Sequence, residues 1–347
     1  MRYLTFFLVL VSISCSKPEQ KNFEIEQVSL GVSEIADYPK YLSEWNLFKE
    51  PLKDLVPSEN RIFPYEINSA LFSDYAFKAR FIKLPDEGKI NYEETEVLNF
   101  PKGTILVKNF YYSKDLREDE SERKIIETRL LIHEKKEWKA IVYQWDEKQI
   151  DAKRVILGKK NSVEWTDVRG DLKRINYAIP SQPQCKSCHD LGGKMTPIGP
   201  SARQLNRNNQ LSEWKEKGWL NTDANVQFPK LANYSDDNVA LDLRARAWLE
   251  VNCAHCHRKE GPAKNSGLYL LASQKDPYRI GVNKPPIAAG KGSGGLKYSI
   301  VPGKPDQSIL IHRIESLEPG EMMPELGRTV PHEEGIELIR RWIAQME

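Results

Sequence analysis

The pattern of apolar and polar residues changes about half-way along this 347-residue chain. From about Ile35 to Ile179 it consists of short segments rich in β-branched and aromatic residues, separated by turn text such as PDEGK and FPKG. The clearest segments are YAFKARFIKLP at 75–85, GTILVKNFYY at 103–112, IIETRLLIHE at 125–134 and WKAIVYQW at 138–145. They predict a β-rich, sandwich-like domain over residues 35–180.

Beyond Pro180 the apolar residues recur at helical spacing. The segments with this spacing are SARQLNRNNQLSEWKEKGWL from Ser201, VALDLRARAWLEVN from Val239 and EEGIELIRRWIAQM at the C-terminus, where Ile336, Ile339, Trp342 and Ile343 share one face. The second half of the chain is therefore predicted to be mainly α-helical.

The first 15 residues, MRYLTFFLVLVSISC, have the pattern of a secretory signal. The apolar run from Leu4 to Ile13 has ten residues, half of the roughly 20 that a membrane-spanning helix needs. Its end resembles the box that bacterial lipoprotein signal peptidase cuts, although Ser12 stands where an apolar residue is usual. We expect a lipoprotein signal peptide at 1–14, a lipid on Cys15 and a flexible polar tether at 15–34. An ordinary signal peptide that removes Cys15 is the alternative.

Charge and length narrow the class of protein. Loss of residues 1–14 removes only Arg2, so 50 basic residues face 49 acidic ones and the net charge is +1. A chain without an excess of basic residues has no general electrostatic attraction for nucleic acid, so nucleic acid is not expected as a partner. The length suggests two or three domains.

The five cysteines carry the strongest signal in the sequence. Apart from Cys15, they form two C-x-x-C-H motifs: Cys185, Cys188 and His189, and then Cys253, Cys256 and His257. Covalent haem c uses all of these residues, because each thiol bonds to a haem vinyl group and the histidine binds the iron. The sequence therefore predicts two covalently attached haem c groups.

Zinc binding and disulfide redox chemistry fit the motifs less well. A zinc site built from four cysteines would leave both histidines without a role. A thioredoxin-like redox disulfide needs no histidine after each C-x-x-C pair and belongs at a strand-to-helix turn.

The region around the second motif resembles a class I cytochrome c domain. A predicted helix delivers the chain into Cys253, and GEMMPELG at 320–327 precedes the C-terminal helix. The resemblance implies that Met323, in its M-P pair, is the distal iron ligand and that the Pro262 carbonyl orients His257. Met322 as the ligand, or both methionines as core filling, are the alternatives.

The region around the first motif matches the cytochrome c pattern less completely than the region around the second. Its prolines predict that YAIPSQPQ, before Cys185, is extended rather than helical. Pro200 resembles the residue whose carbonyl orients the proximal histidine, here His189. Met195 is a weak candidate for the distal ligand, because six extended residues span at most about 20 Å. The other possibilities are His133, His312, His332 or an open sixth position. His255 is expected to be exposed.

The predicted fold class is α+β, with an N-terminal β-sandwich-like domain followed by a mainly α-helical cytochrome c-like haem region. That region divides into a first haem c region at 181–236 and a class I cytochrome c-like second domain at 237–347.

Four strings are similar to a family of uncharacterised bacterial two-haem c-type cytochromes that are often lipoproteins: NSALFSDYAFKARFIKLP, FPKGTILVKNF, ETRLLI and QCKSCHDLGGKMTPIGPSARQLNRN. The resemblance implies that the protein transfers electrons in the cell envelope of a Gram-negative bacterium. It would be anchored there by a lipid, facing the periplasm or the outer membrane. Members of this family are often encoded beside a secreted parallel β-helix protein. The resemblance therefore suggests such a protein as a redox partner.

Two functions remain open at this point. An electron carrier would pass single electrons between the haems and a partner protein. A two-haem oxidoreductase such as a peroxidase would keep the first haem open to substrate, in a pocket lined by Arg or His. A β domain that binds sugar or cell wall is a more distant third possibility.

Overall fold

The computed structural model describes residues 38–118, 121–135, 137–287 and 289–347. The predicted signal peptide at 1–14, the lipidation of Cys15 and the tether at 15–34 lie outside these residues. Residues 38–347 form one unit by their internal contacts. Within the described part of the chain, no helix combines the length and apolar character needed to cross a membrane.

Twelve strands are present within the described residues: β1 Ile62–Pro64, β2 Phe77–Lys83, β3 Ile90–Asn91, β4 Ile105–Ser113, β5 Arg123–His133, β6 Trp138–Trp145, β7 Ala152–Val155, β8 Lys159–Thr166, β9 Leu172–Ile179, β10 Asp190–Leu191, β11 Lys194–Met195 and β12 Leu220–Asn221.

Seven α-helices are present in the same residues: α1 Gln182–His189, α2 Ala202–Leu205, α3 Gln210–Glu216, α4 Leu241–Leu249, α5 Pro277–Ile280, α6 Ile309–Glu315 and α7 Glu333–Ala344. Short 3₁₀ turns cover Leu42–Trp45, Leu52–Asp54, Lys264–Ser266, Gly290–Ser293 and Pro305–Gln307, and a wide π turn covers Glu250–Ala254.

The main structural element is a six-stranded antiparallel sheet in the order β1-β2-β4-β5-β6-β7. Its long strands match the four segments predicted from composition. Successive side chains of a strand point to opposite faces, and one face packs on the segment around residues 42–55. The buried residues on that side include Leu42, Leu52, Val107, Ile141 and Tyr143.

The opposite face of the sheet is covered in three different ways. The β8–β9 hairpin packs Trp165 and Tyr177 against Phe110 and Val142. At the other end, α2 and α3 pack Leu205 and Trp214 against strand residues such as Leu106. Between these two apolar clusters the sheet faces the cavity described below.

The C-terminal region has its own hydrophobic core between α4 and α7. Trp248 and Leu249 of α4 contact Ile339 and Ile343 of α7, and Trp342 Nε1 donates a hydrogen bond of 2.8 Å to Asp242 Oδ1. The C-terminal helix predicted from its apolar spacing is present as α7.

The predicted fold class is wrong. Among the described residues, helices make up 24% and strands 25%, and the strands are concentrated in one large antiparallel sheet, so this part of the chain is mostly β with few helices and is not a mainly helical cytochrome c region. Glycine and proline explain the difference, because both interrupt helices. Segments such as GVNKPPI at 281–287 and GEMMPELGRTVP at 320–331 form turns and irregular loops. The single predicted helix from Ser201 is also split into α2 and α3, where Asn208 and Asn209 adopt positive φ values.

Candidate functional site

Helix α1 carries the whole first C-x-x-C-H motif. It begins directly after the hairpin strand β9, and Gln184 Oε1 accepts a hydrogen bond of 2.8 Å from the Ser181 N–H, as in a capping box. The expectation that the chain is extended up to Cys185 is therefore wrong. Pro183 lies in the first turn of α1, where proline is tolerated because its missing N–H has no helical partner.

His189 is oriented by a hairpin that follows it immediately. Strands β10 and β11 pair Asp190 with Met195, and the Thr196 carbonyl lies 2.9 Å from His189 Nδ1. This carbonyl has the role predicted for Pro200, whose own carbonyl accepts from the Leu98 N–H. Burial lowers the pKa of His189 to about 4, which keeps the imidazole neutral at pH 7. A neutral imidazole with Nδ1–H donated leaves Nε2 available to bind iron.

The second motif follows α4 through the wide turn at 250–254. The N–H groups of Cys256 and His257 both donate to the Cys253 carbonyl, at 3.1 and 2.9 Å. His257 Nδ1 lies 3.1 Å from Ser266 Oγ, and that hydroxyl donates to the Ala263 carbonyl at 2.7 Å. Ser266 therefore accepts from His257, in the role predicted for Pro262, and Nε2 is again available to bind iron.

Met323 is held in place through its backbone. Its N–H donates to the Arg313 carbonyl at 2.8 Å, and its carbonyl accepts from Arg328 Nη2 at 3.0 Å. The buried Asp74 of the β-rich part accepts from the Thr329 N–H at 2.6 Å, which fixes the end of the same loop. The Met323 side chain lines the cavity. Met322 is not among the cavity-lining residues of the described chain.

A cavity of about 320 Å³ lies between the sheet and the two motif segments. Cys185, Cys188 and His189 line it from α1, and Ala254 and His255 line it from the second motif. The prediction that His255 is exposed is wrong, since the residue is only partly accessible. Cys253, Cys256, His257 and Met195 are not among the cavity-lining residues of the described chain.

The two motif segments lie close together. The Gly192 N–H, in the β10–β11 turn, donates a hydrogen bond of 2.9 Å to the Glu260 carbonyl just after the second motif. Burial raises the pKa of Cys256 to about 12, and the neighbouring Cys188 thiol contributes to that rise in pKa. The residues that would attach two cofactors thus lie on neighbouring segments of the chain, joined by the Gly192–Glu260 hydrogen bond.

A row of cations crosses the cavity wall. Arg80 of β2 pairs directly with Lys108 of β4, and Lys108 pairs with Arg129 of β5. Like charges in such a row repel one another, and burial lowers the pKa of Lys108 well below its ordinary value. Glu127 neutralises Arg129, with Nη2–Oε1 at 2.5 Å. The Lys108 ammonium makes no hydrogen bond or ion pair with any described residue and lies 5.0 Å from the centre of the Phe110 ring. This wall fits a cofactor that bears carboxylates.

The set of side chains fits covalent haem better than zinc or a redox disulfide. Among the described residues, no group of three His, Cys, Asp or Glu converges as a metal site would require, and the four cysteines are free thiols. A four-cysteine zinc site would leave both histidines without a role, and a redox disulfide needs no histidine after each C-x-x-C pair. The motif thiols, the available Nε2 atoms, the Met323 thioether and the cations for propionates match haem c.

The sequence candidates His133, His312 and Met195 lie outside the cavity lining of the described chain. His133 Nδ1 bonds the Phe100 carbonyl at 2.9 Å, and its ring stacks on Trp138. His312 Nε2 is buried without a hydrogen-bond partner among the described residues, 3.9 Å from Glu321 Oε2. Met195 lies in β11, directly beside Thr196, and its assignment as a distal ligand stays a prediction.

Three features of the site were missed in the sequence: Thr196, Ser266 and the row of cations. The row had a usable signal, because single charged residues interrupt the otherwise apolar strands. The hydrogen-bond partners of His189 and His257 had no such signal in the sequence. Loop geometry selects the Thr196 carbonyl for His189 and the Ser266 hydroxyl for His257.

Comparison with known proteins adds no relative: no protein-family model, curated protein or solved structure matches the chain. Function is therefore inferred from the residues themselves.

Proposed function

We propose that this protein is a c-type cytochrome that binds two haem groups covalently and transfers electrons outside the cytoplasm. The observation that supports the proposal most strongly is the contact between the two C-x-x-C-H segments through Gly192 and Glu260. Two haem-binding segments in contact suit the passage of electrons from one cofactor to the other.

Each group of side chains has a defined task in this proposal. Cys185 with Cys188, and Cys253 with Cys256, form the thioether bonds, and His189 and His257 bind iron through Nε2. Haem c supplies a reversible one-electron couple when it is bound. Met323 is the distal ligand of the second haem, and a His/Met ligand pair raises its potential.

The β-rich part of the chain has a supporting task. Its sheet supplies Arg80, Lys108 and Arg129 to the cavity wall, where they can pair with haem propionates. Its apolar clusters cover the first site and limit the access of water, which also influences the potential of a bound haem.

Location and partner follow from the N-terminal sequence and the family resemblance. We propose that a lipid on Cys15 anchors the protein in the cell envelope of a Gram-negative bacterium. The secreted parallel β-helix protein is the candidate redox partner.

Reductive titration of protein produced with haem-attachment machinery tests the proposal. Two one-electron steps in the haem absorption bands are expected, and the Cys253→Ala/Cys256→Ala variant should show one. Protein that carries no reducible haem contradicts the proposal.

A second candidate function is a two-haem oxidoreductase such as a peroxidase. The observation in its favour is that Arg129, Lys108 and His255 line the cavity beside the first motif. Rapid turnover of peroxide by the two-haem protein would favour this function over the carrier.

A further inference from the structure

We propose that His255 supplies the second axial ligand of the first haem iron, opposite His189. The inference rests on the proposed function, because it needs a haem attached at Cys185 and Cys188. It gives a task to a residue that lies between the cysteines of the other motif.

The local backbone turns His255 away from its own motif. Within the motif the N–H groups of Cys256 and His257 both donate to the Cys253 carbonyl, and His255 has φ −61° and ψ −31°. Residues 253–257 therefore form one helical turn in which each residue is rotated by about 100° from the one before it. Cys253 and Cys256 therefore share a face, about 60° apart, while His255 lies about 160° from Cys253 on the other side. Accordingly, Ala254 and His255 line the large cavity, whereas neither Cys253 nor Cys256 is among its described lining residues.

His255 faces the same space as the first motif. Both His255 and His189 line the cavity, together with Lys108 of the sheet. The hydrogen bond of 2.9 Å from the Gly192 N–H to the Glu260 carbonyl holds the segment after His189 against the segment after the second motif, and both His189 and His255 line the cavity beside it. Lys108 contributes to the lowered pKa of His189 and of His255, and His255 contributes to the lowered pKa of both His189 and His257. Within the described residues, neither ring nitrogen of His255 makes a hydrogen bond, so both are available.

The other histidines are already engaged or lie elsewhere. His332 also lines the cavity, but its Nδ1 accepts from Trp248 Nε1 at 2.9 Å, which places the ring proton on Nε2, 3.7 Å from Glu334. His133 and His312 do not line the cavity within the described chain. Among the described histidines that line the cavity, His255 is thus the one whose two ring nitrogens both lack a hydrogen bond.

Met195 is on the wrong side of His189 to compete. It directly precedes Thr196, whose carbonyl lies 2.9 Å from Nδ1 of His189. The iron must bind the opposite ring nitrogen, Nε2, so the β10–β11 hairpin lies behind the proximal histidine.

The assignment has consequences for electron flow. One segment, Cys253 to His257, would attach the second haem and also bind the iron of the first, which joins the two cofactors through a few bonds. The first haem would carry two histidines and the second a His/Met pair, and the Met ligand makes the second haem the better electron acceptor. Electrons would then pass from the first haem to the second.

The test uses the full two-haem protein and electron paramagnetic resonance at low temperature. The unaltered protein should contain two low-spin haems, one with a bis-histidine signal. The His255→Ala variant should retain two haems by mass, convert one of them to a high-spin form that binds cyanide, and regain the low-spin signal when imidazole is added. His312→Gln, at a histidine that does not line the cavity, is the control and should match the unaltered protein.

Two further variants address the rival ligands. Lys108→Met and Met323→Ala should leave the bis-histidine signal in place. Loss of that signal in either variant, with His255→Ala unaffected, overturns the assignment. If His255→Ala does not accumulate, the unaltered protein still decides: a high-spin haem or two His/Met haems overturns the inference. Bare polypeptide would overturn the proposed function as well, whereas two attached haems with other ligands overturn only the role of His255.

Discussion

Glu127 should be the most important single charge for the stability of the sheet. It is fully buried in β5, and its carboxylate accepts from Arg129 at 2.5 and 3.0 Å and from the Tyr177 hydroxyl at 2.5 Å. The substitution Glu127→Gln keeps the size of the side chain but removes the only carboxylate among the described residues that forms an ion pair with Arg129. Removing one member of a buried ion pair costs about 3–5 kcal/mol. Because the Arg129 side chain is 31% exposed, towards the cavity, we expect the lower end, about 3 kcal/mol.

Urea unfolding of the two-haem protein provides the assay. The free energy of unfolding in water should fall, while its slope against urea concentration (the m-value) should stay unchanged. Glu164→Gln is the matched control, because its 2.5 Å pair with Arg174 lies on the surface, with side chains 46% and 67% exposed, and exposed pairs contribute less than about 1 kcal/mol.

A double variant tests the cause. Arg129→Met combined with Glu127→Gln removes both charges and should recover part of the loss, since the penalty arises from an unpaired buried cation. A loss below about 1 kcal/mol in Glu127→Gln alone would show that the pair does not stabilise the sheet in this way.

Three other expectations can be tested separately. Met323→Ala should remove the sulfur-to-iron charge-transfer band and lower the potential of one haem, whereas Met322→Ala should change neither; the reverse result would move the ligand to Met322. Gly335→Ala should lower the free energy of unfolding by about 1–3 kcal/mol, because the new Cβ would lie 2.3 Å from Trp248 Nε1 and 2.6 Å from His332 Nδ1; Gly199→Ala, with no atom within 4 Å, is the control, and equal effects would contradict the steric argument. Cys15→Ala should release the protein from the membrane fraction, and unchanged membrane association would indicate another anchor.

The strands could be predicted from the sequence because their signal is local. Residues 75–85 and 103–112 became β2 and β4, since β-branched and aromatic residues fit a pleated, half-buried surface wherever it lies in the fold. The C-terminal helix was predictable for the same reason, as the spacing of Ile339, Trp342 and Ile343 marks its buried face.

The extent of helix in the second half could not be predicted from the same kind of signal. Helical spacing around Ser201 persists across Asn208 and Asn209, yet their positive φ values end one helix and allow another to begin. The motif at Cys185 was expected to follow extended chain because of its prolines, although Pro183 is compatible with the first turn of a helix.

The residues of the candidate site could be named from the sequence, but their arrangement could not. Cysteine spacing alone points to the four thiols and two histidines, and their attachment of haem stays a prediction. That Arg80, Lys108 and Arg129 form one row depends on strand register, and that His255 lines the same cavity as His189 depends on how distant segments pack. Neither can be derived from the residues next to them in sequence.

Intact mass under denaturing conditions is the decisive measurement of covalent haem attachment. Protein isolated from a host with active haem-attachment machinery should have the mass of the polypeptide plus two haems, and the Cys185→Ala/Cys188→Ala variant should carry one. A mass equal to that of the bare polypeptide would mean that neither motif attaches haem.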